Sequence, residues 1–311
     1  MQNKMSTRKA YGMALAELGE KYDFLVLDAD LSKATMTKMF QDVYPQRFFN
    51  MGIAECDMMS TAAGIASCGK MVFASTFAMF AAGRAYEQIR NSIAYPRLNV
   101  KIGGTHGGLL IGEDGGSHQC IEDLSIMRTL PGFVVLAPAD AVEARAVVEA
   151  AMNYEGPVYM RFGRMDVPVI YDSNTFKFEI GKATVLKEGC DVTIIAVGEM
   201  VYEAVKAAAV LEDQGVAARV IDMCSIKPID ADIIIKAAKE TQGIVTVEDH
   251  NVVGGLGSAV SEVVTEKYPV KIRKVGVKDT FGRSGKRPDL AAYYGLDVET
   301  IVKNANDLLS K

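Results

Sequence analysis

Short runs rich in β-branched and aromatic residues alternate with segments of helical apolar spacing along the whole chain, and no other feature narrows the fold as far. Residues 24–27, 71–74, 98–102, 133–136 and 158–162 read as strands, being short, apolar and bounded by turn formers. Residues 7–21, 54–68, 77–95 and 141–153 read as the intervening helices, with Gly69 and Pro96 as stops and Asp140 as an N-cap. A second series follows, with strands at 192–197, 218–223, 243–248 and 271–275 and helices at 200–214 and 254–267. Strands that alternate with helices form parallel sheets covered on both faces. Residues 163–182 hold Asp166, Pro168, Asp172, Ser173 and Asn174 with little periodicity and read as a link. The expected organisation is therefore α/β: two open, mostly parallel-sheet domains at 1–168 and 185–311, joined by a connector at 169–184.

A chain of 311 residues, 49% apolar and 23% charged, buries enough surface to need no disulfide or metal staple. Its formal charge of −5 is spread over interspersed acids and bases, with no basic block to follow a nucleic-acid backbone. No apolar run reaches membrane-spanning length, and residues 1–12 lack the apolar core of a secretion signal. Cys56, Cys68, Cys120, Cys190 and Cys224 match no metal-ligand spacing. The expectation is a cytoplasmic protein with free thiols and neither a membrane nor a nucleic-acid partner.

Candidate chemistry concentrates in residues 103–125, GGTHGGLLIGEDGGSHQCIEDLS. So many glycines argue for a loop over this whole stretch, with backbone that a ligand can approach closely. His106 and His118 could polarise an oxyanion or move a proton near neutral pH, with Asp114 close to the second of them. A solvated surface loop is the competing reading. Glu55 opens a helix, where a carboxylate complements the dipole; its small, apolar neighbours also suit a partly buried functional acid. Phe77 and Phe80, three apart, are expected on one helix face, as core or as a wall against a planar ring. Arg8 and Arg161, at an element start and a strand end, are either solvated or forks for phosphate. The GGLG turn at 254–257 opens a helix and could hold an anion, although close helix packing explains it as well.

Taken in order, STRKA, DADLSKAT, GIAE, STFAMF, the TH…GEDGGSHQ loop and the arginine of YMRF resemble the middle and C-terminal domains of transketolase over essentially the whole chain. The resemblance implies a pyrimidine-binding domain for thiamine diphosphate followed by a transketolase C-terminal-like domain. It implies that Glu55 hydrogen-bonds the aminopyrimidine ring and so acts in catalysis, that Phe77 and Phe80 wall the ring, and that His118, also catalytic, contacts the cofactor near the reacting carbonyl. Asp114 is implied to bind a sugar hydroxyl, and Arg8, His106 and Arg161 the terminal phosphate of a sugar phosphate. The GDG signature of the family's diphosphate-binding domain is missing from the sequence. The cofactor would thus be shared with an N-terminal transketolase subunit that holds most of the magnesium coordination. Two chains of each kind would form a heterotetramer around a homodimeric core of this chain. The implied activity is transfer of a two-carbon ketol unit from a ketose phosphate to an aldose phosphate in the pentose phosphate pathway. A beta subunit of a 2-oxo acid dehydrogenase and a non-catalytic regulatory paralogue are the alternatives. In ADLSKAT, Ala34 falls where the family usually has a phosphate-binding serine, with Ser32 and Thr35 as substitutes.

Overall fold

The computed structural model describes residues 3–310. They form two compact units: residues 3–107 with 126–180, and Gly108–Ser125 with residues 181–310. The chain is α/β as expected, and the alternation of strand and helix persists through both units.

In the first unit, six strands lie side by side in the order Val134–Leu136, Val158–Arg161, Val100–Thr105, Met71–Phe77, Phe24–Asp28, Phe48–Asn50, all parallel. Register aligns their C-terminal ends: Asp28 pairs with Asn50 and Ser75, Phe77 with Thr105, and Gly104 with Arg161. Ligand-binding loops in open parallel sheets leave from this edge. Helices Thr7–Leu18, Glu55–Ser67 and Ala141–Asn153 cover the sheet. Asp140 starts the last of these by accepting the Glu143 N–H, while the Glu143 carboxylate accepts the Ala139 N–H. This reciprocal arrangement satisfies two donors at the helix start. The other oxygen of Asp140 accepts the N–H groups of Ile170 and Tyr171, which fixes the chain leaving the unit. Phe24 stacks on Phe40 and Tyr11 on Phe162, at ring separations of 5.1 and 4.6 Å. Each such fully buried ring stabilises the core by about 1.5–3 kcal/mol.

Two local expectations fail here. Gly103 and Gly104 belong to the Val100–Thr105 strand, not to a loop. A Cβ on Gly103 would lie 2.5 Å from the Tyr11 hydroxyl, and one on Gly104 2.5 Å from the Tyr159 hydroxyl. The glycines admit aromatic side chains on both faces of the strand, so their role is packing and not flexibility. Phe77 closes the Met71–Phe77 strand and shares no helix face with Phe80. The helical stretch expected over 77–95 consists of wide π turns at Phe80–Arg84 and Ile89–Ala94 around a short α turn at Tyr86–Gln88.

The second unit holds a five-stranded sheet in the order Lys271–Val277, Gly243–Asn251, Val192–Ala196, Ala218–Asp222, Thr184–Lys187. Its last strand runs antiparallel, against a simple parallel reading. Helices Met200–Asp213 and Leu256–Lys267 fall where spacing placed them, whereas Ala231–Glu240, Arg287–Tyr294 and Val298–Leu309 were not read from the sequence. No helix among the described residues is long and apolar enough to cross a membrane.

Candidate active site

The strand ends of the first unit carry a continuous chain of side-chain contacts. Asp28, fully buried, accepts the Leu31 N–H at 2.6 Å and the hydroxyls of Thr35 and Thr37 at 2.7 and 2.8 Å. Burial pushes its carboxyl above the ordinary range, against these hydrogen bonds, which hold it down. The network winds residues 31–37 into a tight turn. Thr35 directs its hydroxyl to Asp28 inside the protein, so it does not stand in for the serine expected near position 34. Ala34 contributes instead through its backbone: its carbonyl accepts from Arg8 Nη1 at 2.8 Å.

Arg8 also donates from Nε to the Arg164 carbonyl and lies 3.3 Å from His106 Nε2. A guanidinium has no acceptor, so His106 accepts at Nε2, and its Nδ1–H donates to Thr105 Oγ1 at 3.0 Å. The ring is thereby fixed in one tautomer. His106 is buried, has φ of 57°, and stacks on Phe77 at 3.8 Å. Phe77 in turn stacks on Phe80 at 5.7 Å with the rings 17° apart. Arg161, 7% exposed, packs its side chain against the backbone of Gly107, where a Cβ would collide with it.

Glu55 is the first residue of its helix, as expected, and is 2% exposed. A carboxylate so deeply buried needs a counter-charge. Arg84 supplies it: Nη1 donates to both Glu55 oxygens, at 2.9 and 2.8 Å, and the guanidinium lies 4.4 Å above the Phe80 ring. Arg84 joins this group of side chains without any sequence signal that pointed to it. Six of the eight expected residues, Arg8, Glu55, Phe77, Phe80, His106 and Arg161, thus gather at the strand ends of the first unit.

The other two, Asp114 and His118, lie in Gly108–Ser125, within the second unit. This loop is held, not loose. Asp249 accepts the buried N–H groups of Leu109 and Leu110 at 2.8 and 3.0 Å. Gln119 donates to the carbonyls of Leu109 and Arg283, both at 2.9 Å, and Ser284 donates to that of Glu113. Asp114 is exposed; His118 is half-buried, with Nδ1 2.9 Å from the Ser117 hydroxyl. The anion at the GGLG turn is the protein's own: Glu248 accepts the N–H groups of Leu256 and Gly257 at 2.7 and 2.8 Å. A Cβ on Gly255 would strike that carboxylate, which explains the glycine. His250, fully buried, donates from Nδ1 to the Asn251 carbonyl and accepts the Ser125 N–H at Nε2, a structural role. Among the described residues, no three or more His, Cys, Asp or Glu side chains group as a metal site.

A buried acid, stacked aromatics and an arginine–histidine pair thus gather at the C-terminal edge of a parallel sheet, the edge where open α/β folds place their ligand loops. Residues 3–169 match the family model of the transketolase pyrimidine-binding domain, and residues 181–301 that of the transketolase C-terminal domain. The chain belongs to the transketolase family, as its motifs indicated. It is 50% identical to a provisionally named transketolase C-terminal section of Methanocaldococcus jannaschii, over 98% of this chain and 96% of that one. It is 40% identical to an apulose-4-phosphate transketolase subunit of Phocaeicola vulgatus, over 99% of both chains. Among solved structures, a split-gene transketolase described as an inactive beta4 tetramer superposes with a TM-score of 0.92 at 52% identity, over 98% of this chain and 99% of that one.

Proposed function

We propose that this chain is the C-terminal subunit of a thiamine diphosphate-dependent transketolase. It works with an N-terminal subunit that grips the cofactor diphosphate through magnesium. The assembly of two chains of each kind transfers a two-carbon ketol unit between sugar phosphates. The observation that carries the proposal is Glu55: a carboxylate 2% exposed, at a helix start, joined to the face of Phe80 through Arg84, which touches both. This pair fits the aminopyrimidine end of the cofactor, which needs a carboxylate for a ring nitrogen and a flat apolar wall. Arg84 already makes both contacts with a planar cation of the protein's own.

When bound, the cofactor's thiazolium supplies the carbanion stabilisation that protein side chains lack. The chain's residues bind, orient and move protons. Glu55 holds a proton between its carboxylate and the pyrimidine nitrogen; burial makes that hydrogen bond strong. Phe77 and Phe80 exclude water from the ring. His118 moves a proton at the substrate carbonyl and hydroxyl oxygens, and Asp114 orients the neighbouring hydroxyl. Arg8, with Arg161, brings positive charge to a terminal phosphate, and His106, held by Thr105, steers Arg8. The relative named for apulose 4-phosphate makes ketose phosphates the donor class to examine.

The test is reconstitution. The purified chain, its N-terminal partner, thiamine diphosphate and magnesium are mixed and assayed with xylulose 5-phosphate, then other ketose phosphates, against ribose 5-phosphate. Ketol transfer that requires both subunits is expected. An assembled complex that transfers from none of the donors would refute the proposal.

A further inference from the structure

Arg84 ends the wide turn Phe80–Arg84, and wide π turns recur at functional sites. Its guanidinium is planar, donates to both oxygens of Glu55 at 2.8 and 2.9 Å, and lies over the Phe80 ring at 4.4 Å. These are the two contacts assigned above to the aminopyrimidine of the cofactor: a hydrogen bond to Glu55 and a face on Phe80. One carboxylate and one ring face cannot serve both groups in the same geometry. The Arg84 side chain is about half exposed, at 48%, so it has solvent to swing into, whereas Glu55 at 2% does not.

We infer that Arg84 is a built-in competitor of the cofactor's pyrimidine ring, a latch that occupies Glu55 and Phe80 until the cofactor displaces it. The inference rests on the reading of those two residues as cofactor contacts. Its physical basis is the cost of leaving a buried carboxylate unpaired, which the unloaded chain avoids by pairing Glu55 with a cation of its own. Arginine suits the task because it reproduces the flat shape and N–H donor of the heterocycle. The consequence is a lowered affinity: a latch closed ten to one weakens apparent cofactor binding about tenfold, or about 1.4 kcal/mol. That is at the low end for a hydrogen bond to a charged group.

The test is calorimetric titration of thiamine diphosphate, with magnesium, into the complex of this chain and its N-terminal partner. Arg84→Met removes both the donor and the planar cation. Arg84→Lys keeps the charge and loses the plane. The expected result is binding about tenfold tighter for Arg84→Met and intermediate for Arg84→Lys, with a lower melting temperature for the unloaded Arg84→Met chain, whose Glu55 has lost its counter-charge. If Arg84→Met does not assemble, Arg84→Lys decides alone, through tighter binding or its absence. Unchanged affinity in the variants would overturn the latch and leave the proposed function standing. Weaker binding would overturn it too, making Arg84 a positioning residue for Glu55 in the loaded state. No binding by the assembled wild-type complex would bring down the site reading and the latch together.

Discussion

Replacing Asp249 with alanine is expected to release the loop 108–125 without unfolding the rest of its unit. The carboxylate accepts the N–H groups of Leu109 and Leu110 at 2.8 and 3.0 Å, and those residues are 0% and 3% exposed. Hydrogen bonds to a charged acceptor contribute about 1.5–3 kcal/mol each, and their loss leaves two buried donors unsatisfied. The local cost is then at least about 3 kcal/mol, which speeds opening of the loop by about a hundredfold or more. Asp249→Asn keeps one acceptor oxygen, so about half the free energy and about a tenfold change are expected. Hydrogen–deuterium exchange of peptides covering 108–125 measures this directly, with peptides from the Val192–Ala196 strand as the internal control. Exchange of the loop unchanged in Asp249→Ala would refute the claim that this carboxylate holds it. Because the loop bears Asp114 and His118, the variant is also expected to lose turnover.

Two further predictions concern the first unit. Gly104→Ala places a Cβ 2.5 Å from the Tyr159 hydroxyl and should cost about 1–3 kcal/mol in urea unfolding, with Tyr159→Phe recovering part of the loss; an unperturbed midpoint would contradict the packing role. Lys101 is fully buried, donates to the carbonyls of Tyr154 and Gly156, and is brought down to about 7, chiefly by burial. Between pH 7 and about 10 the unfolded chain then binds the extra proton, so folded stability rises with pH over that window and its cost is full below it. Relative to Lys101→Met, the wild type should therefore gain stability from pH 7 to 10, and a flat difference would contradict the assignment.

The layer architecture was legible in the sequence because it depends on period and spacing, which residues 24–27 or 192–197 display locally. Glu55 was legible too, since a helix start leaves a signature in a few residues. What depends on distant partners was not. Gly103 and Gly104 read as a loop because the aromatic rings that fill their space come from Tyr11 and Tyr159, far along the chain. Phe77 read as helical because nothing in STFAMF marks where pairing with Thr105 ends. The tether of the loop, Asp249, stands about 140 residues from the amides it holds. Arg84 was hidden by its ordinariness: an exposed arginine four residues after Phe80 gives no hint that its guanidinium reaches a buried acid. At GGLG the sequence offered close packing as well as an anion, and the carboxylate that fills the turn, Glu248, lies outside the motif.

The central claim is that Glu55 serves the cofactor's pyrimidine ring, and Glu55→Gln tests it most directly, because the amide keeps the shape and loses the proton-accepting charge. The measurement is the turnover number for ketol transfer by the complex with the N-terminal partner, at saturating thiamine diphosphate and magnesium. The account predicts a fall of about 10²–10⁴-fold, the usual worth of a positioned acid–base group. Turnover within about threefold of wild type would contradict it, since the proton-accepting charge would then take no part in the transfer.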